Sequence, residues 1–506
     1  MPNEIELKLR IASRDLPQLR CHPAILDALT GKPVTRKLTS IYYDTPQLAL
    51  LDAGISLRVR RMSGGWFQAV KAAGHALNGL HQRMEWEDII NSGQPDFSKI
   101  TEPALIKIFD QPDLRNALSP IFTTDVHRTE WQLAWDNGDR IELALDQGDL
   151  VIGELREPIS EIELELKGGH AARLFDLALA LQQDMPLELE NISKAQRGYA
   201  HYRPQAPAVT RAHYTSLPSQ GTAADAFKQI AWECLAHTQG NQEMVLHGDD
   251  IEGVHQMRVA LRRLRSLLRV FGNIIESDST GHYETEIRWI SNQLGSARDL
   301  DVFVMETLPR LLRPLHQHHG LVLLAAKAEK ARRQAYLQAL SAISSQRYQR
   351  LLLALGAWLE NESWRKSTSP ELRTIDIAQQ TLAKHYKQLR RHGRQLARML
   401  PEERHEARLA AKRLRYAAEF FCSLYPNHRT QDFLHALAAL QNVLGELNDI
   451  TVTEVLVRQL AGDRPPRALD EALHLFAGWN ASQTEHRLEV MKKAWRRFAR
   501  HKPFWL

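Results

Sequence analysis

The sequence predicts two folds in one chain: an α+β domain built on an antiparallel sheet over the first 200 residues, then an all-α domain of two repeated helical bundles. Three observations carry that prediction. Apolar and polar residues alternate with a period of two in segment after segment up to about residue 167. From about residue 222 the apolar residues recur at helical spacing nearly to the end. The helical part also matches itself at a fixed offset of 150 residues, His255 against His405 and Leu294 against Leu444.

At 506 residues the chain is long enough for two or three domains. No run approaches the roughly 18 uninterrupted apolar residues that a membrane helix needs, so no membrane partner is expected. The opening MPNEIELKLR carries acids where a signal peptide would need a basic start and an apolar run. Cys21, Cys234 and Cys422 are far apart and odd in number. They offer neither a disulfide framework nor a metal knuckle, and they fit a reducing, cytoplasmic setting. The net charge of +5 hides a split, since residues 1–200 hold 22 Lys and Arg against 29 Asp and Glu, and the remainder 43 against 31. The second part should therefore attract a polyanion.

The strands are read at EIELKLRI, SLRVR, HQRMEWEDI, RIELALD and SEIELELK, with helices near 13–29 and 170–183. Residues 203–221 are rich in Pro and Ser and read as a linker. This gives a first domain over 1–202 and a helical domain over 222–506, with repeat halves at about 222–370 and 371–506.

The first strand carries the most information. In Glu4-Ile5-Glu6-Leu7-Lys8-Leu9-Arg10-Ile11 every even residue is charged and every odd one apolar, so four charges of mixed sign share one face. The pattern recurs at Leu57-Arg58-Val59-Arg60, at Arg83-Met84-Glu85-Trp86-Glu87, at Arg128-Thr129-Glu130-Trp131 and at Glu161 to Lys167. A single strand of this kind reads as one face of a sheet in water. Three glutamates in a row on one face repel each other, however, unless cations sit among them. If the sheet closes with this face inward, one cavity holds acidic and basic clusters together. Acidic oxygens suit Mg²⁺ or Mn²⁺, and arginine forks and lysines suit phosphate oxygens.

Glu4-x-Glu6-x-Lys8 at the start resembles the signature of the CYTH superfamily, the triphosphate tunnel metalloenzymes. Tyr42-Tyr43-Asp44-Thr45, Leu57-Arg-Val-Arg60, Lys71, the Arg83-x-Glu85-x-Glu87 strand, Arg128, Asp146, Glu161-x-Glu163-x-Glu165 and Ser193-Lys194 follow in the expected order. The resemblance covers roughly residues 1–200 and implies a closed eight-stranded antiparallel barrel, a tunnel. It implies that Glu4 and Glu6 hold metal together with Glu163 and Glu165. Lys8, Arg58, Arg60, Lys71, Arg83, Arg128 and Lys194 would grip phosphate oxygens, with Glu4, Glu6, Lys8, Arg58 and Arg60 at the catalytic centre. Glu85, Glu87 and Asp146 would be metal ligands or partners of the basic residues.

On a helix, His255, Arg258, Arg262, Arg265 and Arg269 form one stripe, and Val254, Met257, Leu261, Leu264 and Leu268 a separate apolar one. The second copy gives His405, Arg408, Lys412 and Arg415, then departs at Glu419. Lys384, Lys387, Arg391, Arg394 and Arg398 precede it on another helix. A charge run is ordinarily a solvated face, but this one lacks acids and occurs twice. These segments resemble the CHAD domain, which implies binding of inorganic polyphosphate. Nucleic acid is the rival ligand; no recognition helix or stacking motif accompanies the stripe, so no specific nucleic acid is expected. Trp495, Phe498, Phe504 and Trp505 are expected to pack a last helix.

The expected function is metal-dependent hydrolysis of inorganic triphosphate to diphosphate and phosphate, with Mg²⁺ or Mn²⁺, beside a helical domain that binds polyphosphate. The alternatives are an enzyme on an organic triphosphate (thiamine triphosphate or ATP) and a non-catalytic polyphosphate-binding protein.

Overall fold

The computed structural model describes residues 3–62, 64–72, 74–366, 372–393 and 399–506. Arg394, Arg398 and the expected boundary between the helical halves at 370/371 lie outside the described residues.

Ten strands form one sheet. They are β1 (Asn3–Ile11), β2 (Val34–Asp44), β3 (Ile55–Met62), β4 (Gly65–Ala72), β5 (His75–Leu77), β6 (Leu80–Ile90), β7 (Ser119–Ala134), β8 (Arg140–Ile152), β9 (Leu155–Gly168) and β10 (Leu187–Leu189). The order β1-β9-β8-β7-β2-β3-β4-β6 returns to β1 through the pairing of β6 with β1, which closes an eight-stranded antiparallel barrel. The short strands β5 and β10 add to its rim.

The period-two pattern explains both faces. The apolar positions point outward and are covered: Leu7, Leu9, Leu143, Leu145, Ile162 and Leu164 are fully buried, and helix Ala172–Asp184 lies over this side with Leu174, Phe175, Ala178 and Leu181. On the opposite side Leu57, Val59 and Val70 pack with Leu105 and Phe109 of helix Pro103–Phe109. With the outside committed to cores, the charged positions are left to line the lumen. The helix expected near 13–29 is instead three short pieces, Ser13–Asp15, Leu16–Arg20 and Pro23–Leu26. Pro17 and Pro23 each stand in a first turn, where a proline is tolerated but a continuous helix is not.

By contacts the chain divides into Met1–Ala206 with Ser345–Glu362, and Pro207–Ser344 with Ser363–Leu506. The expectation of one unbroken helical domain over 222–506 omits this excursion: helix Gln346–Glu360 belongs with the barrel. Gln346 and Gln349 accept hydrogen bonds from the backbone N–H groups of Leu187 and Leu189 on β10, at 3.2 and 3.0 Å. The Asn78 side chain, in the turn between β5 and β6, donates to the Leu352 carbonyl at 2.5 Å.

The second unit is helical. Residues 204–218 carry no helix or strand. The repeat-related helices Glu252–Val270 and Pro401–Phe421 pack against each other, with Arg263 donating to Glu419 at 3.0 Å. Phe498, Phe504 and Trp505 are buried around Phe433 and Tyr386 and close the C-terminal helix Arg467–Arg500.

Candidate active site and basic groove

The lumen is a cavity of about 650 Å³ lined by side chains of both signs, among them Glu4, Glu6, Lys8, Arg58, Arg60, Lys71, Arg83, Arg128, Glu163, Glu165 and Lys194. Strand register brings them together. Glu6 stands opposite Glu165, Lys8 opposite Glu163, and Glu165 opposite Glu142 of β8. On the far wall Arg58 and Arg60 of β3 stand opposite Tyr42 and Ser40 of β2.

Most charges are paired in the resting cavity. Lys8 contacts Glu163 and lies 3.1 Å from Glu6; burial alone would strip its proton, but these two carboxylates hold it charged. Arg83 reaches Glu4 at 2.8 Å and Glu6 at 2.7 Å, and Lys71 reaches Glu4 at 3.0 Å and Glu85 at 2.8 Å. Against the cost of burial, Lys71 and Arg83 hold the Glu4 carboxyl well below its usual range. Arg128 grips Asp146 through two nitrogens, at 2.7 and 2.6 Å, and also contacts Glu163.

Arg60 is different. Its Nε donates to Ser40 at 2.9 Å, and among the described residues it has no carboxylate partner. Burial first, then Arg58 and Arg128, lower its proton affinity to about 10. Arg58 keeps a buried Nε without a hydrogen bond. Buried donors of this kind are costly unless an anion meets them.

Three carboxylates, Asp146, Glu161 and Glu163, converge closely enough to hold a metal ion. The Lys194 ammonium already sits among them, 2.7 Å from Asp146, 2.9 Å from Glu163 and in contact with Glu161. Their charge is thus answered from within. The row Glu6, Glu165 and Glu142, with Glu4, has fewer cations for its acids. Burial raises the Glu165 carboxyl, and Glu4 and Glu142 add to the rise despite Lys167. Adjacent carboxylates with oxygen donors and one of them unusually basic fit a divalent cation.

Along the strands the inner face turns from charged to apolar. Glu163 and Glu161 give way to Ile159, Asp146 to Leu150, and Arg128 to Val126 and Phe122. Helix Lys194–Tyr202 caps this end, with Tyr199 edge-on to Phe122 and Phe122 stacked on Tyr42 at 4.5 Å. The approach is so close that a Cβ on Gly198 would lie 2.4 Å from the Phe122 ring. The helix begins in a capping box, Ser193 with Gln196, which aims Lys194 into the lumen.

In the helical unit the two stripes converge. A cavity of about 380 Å³ is lined by Arg258, Arg262, Arg265, Ser291, Asn292, Gly295, Ser296 and Asp299. Burial first, and then the nearby Arg262, disfavour protonation of Arg408 and Lys412 of the second copy. Arg262, Arg265 and Arg408 each bury an Nε with no hydrogen-bond partner. Not every expected residue joins. Arg269 is exposed and faces Glu284 at 3.7 Å, and Arg415 is tied to Glu419 at 2.7 Å. His405 is exposed and bonds Asn448 at 3.1 Å, and burial keeps His255 neutral, down to about 4.

The CYTH domain family matches residues 2–199, and the CHAD domain family matches residues 229–458. The chain is a CYTH domain followed by a CHAD domain. The CHAD part is 33% identical to the crystal structure of the CHAD domain from the plant Ricinus communis, covering 57% of this chain and 97% of that one with a TM-score of 0.51. The chain is 35% identical over 204 residues to a Haemophilus influenzae protein named inorganic triphosphatase, a match that covers 39% of this chain and 55% of that protein. The chain thus spans a little over half the length of that relative. An uncharacterized Mycobacterium tuberculosis protein is 27% identical over 460 residues, covering 84% of this chain and 82% of its own.

The residues expected to hold metal or phosphate at the CYTH site line the one lumen, with Asp146 buried behind Arg128 and Lys194, while the CHAD stripe splits into groove-lining and outward members. Sequence reading missed Glu142, whose strand RIELALD had been recognised but whose place beside Glu165 depends on register. It also missed the CHAD residue Arg263, which breaks the stripe's spacing to pair with Glu419 in the interior.

Proposed function

We propose that the CYTH barrel hydrolyses inorganic triphosphate to diphosphate and phosphate with Mg²⁺ or Mn²⁺, and that the CHAD groove binds inorganic polyphosphate. The observation that carries the first half is Arg60, a half-buried guanidinium with no carboxylate partner among the described residues, in a lumen where most other charges are paired. It supports a resting site completed by an anion. The likeness to a protein named inorganic triphosphatase supports triphosphate as that anion.

Glu4, Glu6 and Glu165, with Glu142 beside them, would hold the metal ion. Glu163 would join them as Lys8, Arg128 or Lys194 turns from it to phosphate. Bound there, the metal would neutralise phosphate oxygens and lower the pKa of water. Arg58, Arg60 and Lys71 meet the chain from the opposite wall and take up charge on the phosphoryl oxygens. Lys8, Arg83 and Arg128 exchange carboxylate partners for phosphate ones, so the cavity gives up internal ion pairs when substrate enters. The side chains at the closed end keep bulk water from that face.

For the CHAD groove, the three unpartnered buried guanidinium Nε groups support a phosphate-rich ligand. The test is phosphate release by the purified protein from inorganic triphosphate, thiamine triphosphate, ATP and long-chain polyphosphate, each with Mg²⁺, with Mn²⁺ and with chelator. Release from inorganic triphosphate alone, dependent on metal and lost in Glu6→Ala, is expected. Preferred turnover of an organic substrate would replace the reading, and absence of turnover with intact polyphosphate binding would make the protein a binder.

A further inference from the structure

Strand register inside the barrel decides which cation is neutralised, and one strand departs from the pattern. Directly across from Lys8 on the neighbouring strand stands Glu163, and across from Arg128 stands Asp146. Lys71 has Glu85 across from it and Arg83 has Glu4, and all four opposed pairs form ion pairs. The two inward arginines of β3 are placed otherwise. Opposite Arg58 stand Tyr42 of β2 and Ala69 of β4, and opposite Arg60 stand Ser40 and Phe67, none of them acidic. Arg58 still finds acids, because the small Ala69 lets it reach past β4 to Glu85 and Glu87 of β6, at 3.3 and 3.7 Å. In the same direction Arg60 meets Phe67 and, beyond it, Ile89. Among the described cations that line the lumen, Arg60 is the one that forms no ion pair.

What holds Arg60 is a hydroxyl. Its Nε donates to Ser40 Oγ at 2.9 Å, and Ser40 is only 1% exposed in the barrel wall. A guanidinium carries its N–H groups in one rigid plane, so a bond at Nε restrains that plane and spares both terminal nitrogens for a two-pronged contact with phosphate. Those two nitrogens form no hydrogen bond among the described residues. A carboxylate at position 40 would engage the fork and cancel its charge, as the opposed acids do elsewhere in the lumen; an alanine would leave the plane unrestrained. Resting on the triphosphatase reading given above, we propose that Ser40 is a positioning residue, whose hydroxyl orients Arg60 without neutralising it. Arg60 then meets phosphoryl oxygens without first surrendering an internal ion pair.

The test is steady-state hydrolysis of inorganic triphosphate by the full chain, with Mg²⁺ and with Mn²⁺. The variants are Ser40→Ala, Ser40→Asp and Arg60→Met, with both Ser40 changes repeated on the Arg60→Met background. Ser40→Ala should lower kcat about tenfold and leave KM within about twofold, since the charge stays in the lumen while its orientation is lost. Ser40→Asp should lower kcat/KM about 100-fold, to the level of Arg60→Met, because the charge is then cancelled. On the Arg60→Met background neither change should cost more than about twofold, a result that a merely structural role for Ser40 would not produce. Thermal melts of each variant confirm the folded state; should Ser40→Asp fail to fold, Ser40→Ala and its cycle with Arg60→Met carry the decision. Wild-type kinetics in either folded Ser40 variant, or a loss that persists in full without Arg60, overturns the inference. No turnover of triphosphate by the wild type overturns the triphosphatase reading instead.

Discussion

Lys8 and Arg60 face the same lumen but are held differently, and the difference predicts how each substitution behaves. Lys8 answers Glu163 and Glu6 in a fully buried setting, so Lys8→Met takes one cation from two buried carboxylates that keep Arg83, Arg128 and Lys194. It should cost about 1–3 kcal/mol of stability as well as activity. Arg60 has no carboxylate to strand. Arg60→Met should leave the denaturation midpoint nearly unchanged while lowering kcat/KM for triphosphate about 100-fold or more. Equilibrium denaturation beside steady-state kinetics separates the two cases. The groove offers a second contrast. Arg265 has a free buried Nε, while its repeat partner Arg415 is neutralised by Glu419. Arg265→Ala should therefore weaken polyphosphate binding several-fold more than Arg415→Ala, as measured by titration at fixed salt. At this scale the sequence was legible where chemistry alternates on a strand, as in Glu4-x-Glu6-x-Lys8. It was illegible where a partner is chosen by register or by tertiary contact. Glu142 beside Glu165, Lys194 within Asp146, Glu161 and Glu163, and Arg263 on Glu419 are joined across intervals that no local pattern encodes.

Among the elements, the strands and the duplicated helices were readable because their periods are long and regular. The segment near 13–29 was not, since two prolines and short apolar spacing permit several turns equally well. Helix Gln346–Glu360 was read correctly as helical, but its allegiance to the barrel could not be. An apolar stripe says that a helix is buried, not against what. Gly356 makes that allegiance testable. A Cβ there would lie 2.4 Å from the Phe175 ring and 2.6 Å from Asn78 Nδ2, whereas a Cβ on Gly445, also helical, meets nothing within 4 Å. Gly356→Ala should destabilise the barrel by about 1–3 kcal/mol through overpacking. Gly445→Ala should stabilise its helix by about 0.5–1 kcal/mol. Chemical denaturation followed by tryptophan fluorescence compares them.

For the whole molecule, the charge asymmetry between the two parts was visible in composition, and each part uses its excess differently. The barrel folds its charges inward and pairs them; the helical unit leaves cations unpartnered in a groove. No described helix is long and apolar enough to cross a membrane. The excursion of Ser345–Glu362 has a topological consequence. The polypeptide passes between the two units near residues 206, 344 and 362, three crossings where a plain tandem would have one. A single cut in the exposed stretch 204–206 therefore yields two fragments in which the C-terminal piece still supplies a helix to the N-terminal piece's core. After limited proteolysis there, the fragments should co-elute on native gel filtration and part only in denaturant. Fragments that separate without denaturant would show that the helix is dispensable to the barrel. A gene built this way cannot exchange its first domain by one recombination event at the linker, because the new barrel would arrive without the helix that its predecessor borrowed.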